Sequence, residues 1–396
     1  MRYRFLCILL LCTLGLRAKV VGDVYVTDSV DRTQENFVIA SYLVAAPANV
    51  LYSVFGHSII RLQCPTYGLD YCFSFESEDV RYKILTFLSG NLKMGMFAVP
   101  TSEYLASCEQ EKRGVREYIL NMTPRQKQKL WQVVDENVMS GANLPYDFIE
   151  RGCAYSCFNL LTDVIGKDSI EYSFFSQRLE NRTWREIAYN SIPKGADWQR
   201  FIMMILVGNG VDRVLPPDQS MIISEDVIET LQHATYNGKT IAPIDFHWLV
   251  PASEPMSGIW YSPSFFAVVL LLLEIISTIC YRKFDSIMAL KYAFVVLDYS
   301  ILCVQGLIGC IVTYLVLFSK LPCTNWNWLI IPYNILPVIF WHWRRYWVIP
   351  YAILSAVWIL AMVGYPHLLV DPAIICLVMA FIIVLLKQKK YGENEK

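Results

Sequence analysis

Pro145-Tyr146-Asp147-Phe148-Ile149-Glu150-Arg151-Gly152-Cys153-Ala154-Tyr155-Ser156-Cys157-Phe158-Asn159-Leu160-Leu161 passes from turn-forming residues into a run whose apolar positions have helical spacing. The pattern predicts a helix that starts at Cys153 and ends near Gly166, a residue suited to the left-handed C-cap. A cysteine in the first helical turn is chemically distinctive, because the partial positive charge there stabilises a thiolate. Cys157 lies one turn further in, where that field has faded and its own N–H is bonded within the helix.

Working back along the chain, the same region holds five cysteines: Cys64, Cys72, Cys108, Cys153 and Cys157. An odd number in an exported domain leaves at least one thiol free or paired elsewhere. Two readings of Cys153 stand side by side, a nucleophile and a buried structural cysteine. No paired C-x-x-C or H-E-x-x-H spacing points to zinc, and no metal or cofactor is expected. A cysteine nucleophile needs a base. Of the five histidines, His342 and His367 fall between apolar segments, which leaves His57, His233 and His247. His57 alone sits in a strand-like run, Ser53-Val54-Phe55-Gly56-His57-Ser58-Ile59-Ile60-Arg61-Leu62, and follows a glycine that permits close approach of another element. A turn with Pro65, Gly68 and Asp70 leads to a second strand over residues 71–77. Further on, Thr123-Pro124 opens a helix that runs to about Met139, before Gly141.

The wider composition says where this chemistry operates. Of 396 residues, 55% are hydrophobic and 17% charged, against about 25% charged in a soluble chain. Intrinsic disorder is excluded. With 34 Lys+Arg against 35 Asp+Glu the chain also lacks the basic footprint of a nucleic-acid binder. Arg2 and Arg4 followed by an apolar run over residues 5–16 predict a signal peptide over 1–18. Residues 19–262 have the mixed composition of an exported α+β domain. Five apolar segments follow, 265–280, 292–318, 328–341, 347–363 and 368–386, predicting an all-α membrane bundle of five transmembrane helices over 263–387 and a cytoplasmic tail over 388–396. Arg282, Lys283, Lys291, Arg344, Arg345, Lys387, Lys389, Lys390 and Lys396 fall on the inward side of that topology, and only Lys320 on the outward loops. Trp248, Trp260, Tyr261, Trp326 and Trp328 fall at the outer interface. Glu274 and Asp298 lie inside segments, as functional carboxylates or as groups satisfied by a neighbouring helix.

The chain resembles the membrane-bound lipoprotein N-acyltransferases of the Bacteroides type (Lnb). The likeness runs through Phe55-Gly56-His57-Ser58, Phe87-Leu88-Ser89-Gly90-Asn91-Leu92, Arg113-Gly114-Val115, Leu120-Asn121-Met122-Thr123, Tyr146-Asp147-Phe148 before Cys153-Ala154-Tyr155, and Asn325-Trp326-Asn327-Trp328 with Pro332. It implies an exported domain similar to the circularly permuted papain-like fold of lecithin:retinol acyltransferases, with the histidine strand before the cysteine helix. It carries the nucleophile onto Cys153 and the base onto His57. Two departures stand out: Gly152-Cys153 where the family usually has Asn-Cys, and Cys72-Phe73-Ser74 where Asn-Tyr-Gly is frequent. Ser74, Asp70 and Glu76 are therefore all candidates to orient His57.

The resemblance implies an inner-membrane, multi-pass enzyme with a periplasmic N-terminal domain. It would move a fatty acyl chain from a phospholipid donor to the α-amine of a diacylglyceryl-cysteine lipoprotein acceptor through a thioester on Cys153. Arg113, Asn325 and Asn327 are the candidate substrate-binding residues. A membrane-tethered thiol hydrolase and a non-enzymatic membrane scaffold are the alternatives.

Overall fold

The computed structural model describes residues 31–48, 53–80, 82–141, 144–172, 182–252, 262–283, 288–364 and 370–394. The expected signal peptide and the interfacial residues Trp260 and Tyr261 lie outside them. A seven-stranded sheet organises the first half. Its members are β1 (Ile39–Ala45), β2 (His57–Cys64), β3 (Leu69–Ser77), β4 (Lys93–Pro100), β5 (Val115–Ile119), β6 (Leu144–Pro145) and β10 (His247–Val250), in the spatial order β10-β5-β1-β2-β3-β4-β6. Every pairing is antiparallel. The short strands β7 (Ile170–Glu171), β8 (Thr235–Tyr236) and β9 (Lys239–Thr240) make a separate three-stranded sheet.

Period-two alternation gives the large sheet two buried faces. Tyr42, Val44, Ile60, Leu62 and Phe73 pack against the helices Cys153–Ile165 and Pro124–Ser140. Leu43, Ala45, Ile59 and Cys72 pack on the other face against Cys108 of the helix Thr101–Gln110. The Pro124 helix begins with a reciprocal capping box between Thr123 and Gln126 and ends on left-handed Gly141, as its sequence signals require. Gly56, at φ +76°, admits β2 beside β1 at the histidine end, since a Cβ there would sit 2.7 Å from the Ala45 carbonyl oxygen.

The second half is helical. Among the described residues three helices are long and apolar enough to cross a membrane: Pro263–Cys280, Ala289–Leu317 and Trp341–Gly364. A fourth helix, Pro372–Asn394, carries a shorter apolar stretch, Pro372–Gln388. The expected third span, residues 328–341, is not a continuous helix. It is broken into a 3-10 turn at Trp328–Ile330, a single helical turn at Leu336–Ile339 and another 3-10 turn at Trp341–Trp343. Pro332 and Pro337 supply no backbone N–H, and Asn334 competes for the backbone that remains. Its amide donates to the Ile330 and Ile331 carbonyls while its oxygen accepts from Leu336 N–H. Irregular backbone at membrane depth persists only where protein satisfies it. Here Gln305 and the Tyr351 hydroxyl both donate to the Pro332 carbonyl, and Thr313 Oγ1 accepts from Ile335 N–H.

Glu274 and Asp298, which the sequence leaves as functional carboxylates or groups satisfied by a neighbouring helix, share a partner on another helix. Lys387 Nζ lies 2.6 Å from Glu274 Oε1, 2.6 Å from Asp298 Oδ1 and 2.9 Å from Ser277 Oγ. The lysine counted among the tail charges thus folds back into the bundle and clamps three helices. All four side chains are buried.

Candidate active site

One hydrophobic cluster ties the two halves together at the end of the sheet where β2 begins. Val54 and Ile149, close in sequence to His57 and Cys153, pack in the same core as Trp184, Phe201 and Met204. That core continues into Ala267, Val312, Leu329, Trp358 and Ile374 of the membrane half. Phe55 and Phe148 both stand edge-on to the Trp184 ring, with centroids 6.2 and 5.1 Å away. The loops that lead into the histidine strand and the cysteine helix are therefore held by apolar packing against the ends of the membrane helices.

Cys153 occupies the first position of its helix, with Gly152 as N-cap and no side-chain cap ahead of it. The orphan N–H groups of this terminus are free to face an anion. His57 is the first residue of β2, and its imidazole faces Cys153 closely enough for each group to act on the charge of the other. Burial opposes ionisation of Cys153, yet the His57 imidazolium and the Ser58 and Ala154 backbone N–H groups outweigh it and hold the thiol below its ordinary value. Burial likewise opposes protonation of His57, but the facing thiolate and Glu76 overcome it and push the imidazole up to about 10. Each group thus favours the charged form of the other.

Glu76 Oε1 stands 3.7 Å from His57 Nε2 and accepts a 2.6 Å hydrogen bond from Ser74 Oγ. Burial would raise the Glu76 carboxyl, but His57, Ser74 and the nearby Arg113 keep it lowered and charged. Ser74 thus reaches the histidine through Glu76. Asp70 belongs elsewhere: it pairs with Arg61 at 2.6 Å and accepts from Thr101. The placement of Glu76 follows from the hairpin register. Cys64 pairs with Leu69 and Ile60 with Phe73, and three more steps along each strand set His57 opposite Glu76. The turn residues Pro65–Gly68 carried that signal in the sequence.

Cys157 is inert by environment. It is fully buried, and burial together with the Cys153 charge pushes its thiol well above the ordinary value. Its sulfur donates to the Ser58 carbonyl, and on the same segment Ser58 Oγ joins a buried chain from the Tyr42 hydroxyl to Ser224 Oγ. This chain locks the strand that supplies one N–H to the Cys153 sulfur, and nothing in the local sequence announced it.

The remaining candidates are spread more widely. Arg113 is buried, donates from Nε to the Ala46 carbonyl and from Nη1 to Glu111, and its Nη2 has no hydrogen-bond partner. Asn327 is used by the scaffold: its amide donates to the Ile205 carbonyl and its oxygen accepts from Leu329 N–H. Asn325 is exposed in the same loop, whose backbone accepts hydrogen bonds from Gly208 and Asn209 N–H at Cys323 and Trp326. The structure brings Cys153, His57 and Glu76 together with Ser74 behind them, whereas Asn325 and Asn327 sit in the joint with residues 205–209. No cluster of three metal-ligating side chains occurs among the described residues.

Residues 27–189 match the Lnb N-terminal periplasmic domain, and residues 254–391 match the Lnb transmembrane domain. No curated protein and no solved structure gives a match. Both halves, in the same order and joined through one core, place this chain in the Lnb family, as an exported domain carried on a membrane domain.

Proposed function

We propose that the chain is a lipoprotein N-acyltransferase of the inner membrane that works through Cys153 and His57. The observation that carries this reading is the pairing of Cys153, at a helix N-terminus, with His57, on a core shared with the membrane helices.

In the first half-reaction the Cys153 thiolate attacks an ester carbonyl of a phospholipid. The tetrahedral oxyanion draws on the N–H groups at the start of the Cys153 helix. His57, already protonated, gives its proton to the departing lysolipid oxygen, and a thioester remains on Cys153. Forming the thioester removes the sulfur charge that held the proton on His57, so the imidazole is left neutral. In the second half-reaction it takes the proton from the attacking lipoprotein α-amine as the amide forms and the thiolate returns. Glu76 orients the ring through both steps, with Ser74 fixing the carboxylate. No cofactor or metal takes part.

Both substrates are held in the bilayer, which fits a nucleophile anchored at the ends of the spans. In this reading the fold is the permuted papain-like type, with the histidine strand ahead of the cysteine helix. The N-terminal domain faces the periplasm, the chain crosses five times with the third crossing broken, and the C-terminus is cytoplasmic.

The test is mass spectrometry of a lipoprotein's N-terminal peptide from cells with and without the gene. Loss of the N-linked acyl group on deletion supports the proposal, and an unchanged triacylated peptide rejects it. Labelled phospholipid given to the purified protein separates transfer from hydrolysis, since free fatty acid without acylated amine would make this a thiol hydrolase.

A further inference from the structure

The short helix Ile84–Leu88 follows β3, the strand that carries Glu76. Its first turn turns apolar side chains outward: Tyr82, Ile84 and Leu85 are 86%, 59% and 77% exposed. Such exposure on consecutive large apolar residues calls for an occupant.

The far end of this helix is bonded to the membrane half. Ser319 Oγ donates to the Leu88 carbonyl at 2.6 Å, and Lys320 N–H donates to the Ser89 carbonyl at 3.0 Å. Gly90, at φ +73°, lies so close to the Lys320–Leu321 backbone that a Cβ would come within 2.2 Å of Leu321 N. Ser319 and Lys320 come directly after the span that ends at Leu317, where Leu317 and Phe318 are themselves 62% and 68% exposed. The helix that carries the patch is thus bonded to the backbone just beyond the end of a candidate span. On its other side Phe87 packs on Tyr146 with centroids 6.1 Å apart, and the half-buried Tyr146 lies near enough to Cys153 for the sulfur charge to act on its hydroxyl. The order from bilayer to nucleophile is Ile84 and Leu85, then Phe87, then Tyr146, then Cys153.

We propose that Tyr82, Ile84 and Leu85 form a lipid-docking surface that dips into the outer leaflet and delivers the donor's ester, past Phe87 and Tyr146, to Cys153. The proposal rests on the acyltransfer reading for its purpose, and its occupant is a bilayer phospholipid. Lys83 remains out of the apolar layer, paired with Glu78 at 2.6 Å.

The experiment uses the full-length protein in vesicles of phosphatidylethanolamine and phosphatidylglycerol. Acylation of Cys153 is followed by mass spectrometry with two donors, the vesicle lipid and a short-chain water-soluble thioester. A charge in place of a docked leucine should lower loading from vesicle lipid roughly tenfold or more. Leu85→Asp and Ile84→Asp should therefore lose vesicle-fed loading and keep thioester-fed loading. Equal loss with both donors would assign the helix a purely structural role, and no loss with either would leave the patch without a function, so each overturns the proposal. A photo-crosslinking amino acid in place of Leu85 supplies an independent readout in the otherwise unaltered protein. Crosslinks to labelled phospholipid support docking, and their absence overturns it. Should wild-type Cys153 load from neither donor, the acyltransfer reading falls, and the crosslink alone decides the docking surface.

Discussion

Two of the ionic clusters in this chain are built for opposite ends. At the sheet end, Cys153, His57 and Glu76 surround a proton that has somewhere to go: the histidine side chain is still 18% exposed and Glu76 stands 3.7 Å off. In the membrane half, Lys387 spends all three ammonium hydrogens on Glu274, Asp298 and Ser277 at 2.6 to 2.9 Å. The first cluster keeps a partly exposed histidine, and the second has a saturated cation. An ion pair can serve reactivity when one partner remains reachable, and serves assembly when neither does.

The comparison breaks most severely at Cys153. Cys153→Ala and His57→Ala should each lower acyl transfer by about a thousandfold or more, read as loss of the N-acylated lipoprotein peptide. Either variant at near wild-type rate would move the nucleophile or base elsewhere. Next comes the saturated cluster. Lys387→Met strands two carboxylates in the bundle and should cost roughly 3–5 kcal/mol of stability, seen as a lower midpoint of thermal unfolding in detergent. Glu274→Gln keeps a hydrogen-bond acceptor for Lys387 and should cost clearly less.

Glu76 sharpens the first cluster. Glu76→Gln should lower transfer by about tenfold to a hundredfold, and Ser74→Ala, acting only through Glu76, by a few-fold. The reverse order would return the orienting role to Ser74. A pH series probes the same contact. An ordinary thiol with pKa near 8.5 loses more than about tenfold of its alkylation rate between pH 8.5 and 7. Cys153, held below its ordinary value by His57, should lose less of its rate over the same interval. His57→Gln should restore the ordinary slope. Smallest of all, Cys157→Ala should change transfer by less than about twofold, because a buried raised thiol takes no part in the chemistry.

How much of this was legible beforehand depends on the range of the contacts involved. The helix at Cys153, the strand at His57 and the order of the two are local patterns, and the structure reproduces them. Glu76 was within reach as well, since a hairpin closed over residues 65–68 fixes which residue faces His57; the sequence left Ser74, Asp70 and Glu76 as open alternatives because the register was not followed that far. The interruption at residues 328–341 was foreshadowed by its two prolines. That Asn334, Gln305 and Tyr351 would satisfy the broken backbone was not, because those partners lie on other helices.

Composition and charge spacing alone determined that the chain joins an exported domain to a membrane domain. Periodicity alone put a cysteine where a helix begins. Only the tertiary structure decided that Lys387 would leave the tail for Glu274 and Asp298, 113 and 89 residues away. It alone decided that Trp184 would gather Phe55 and Phe148 over the membrane core. Local propensity is written in neighbouring residues, whereas the pairing of buried charges and rings is settled only when packing removes water from between distant ones.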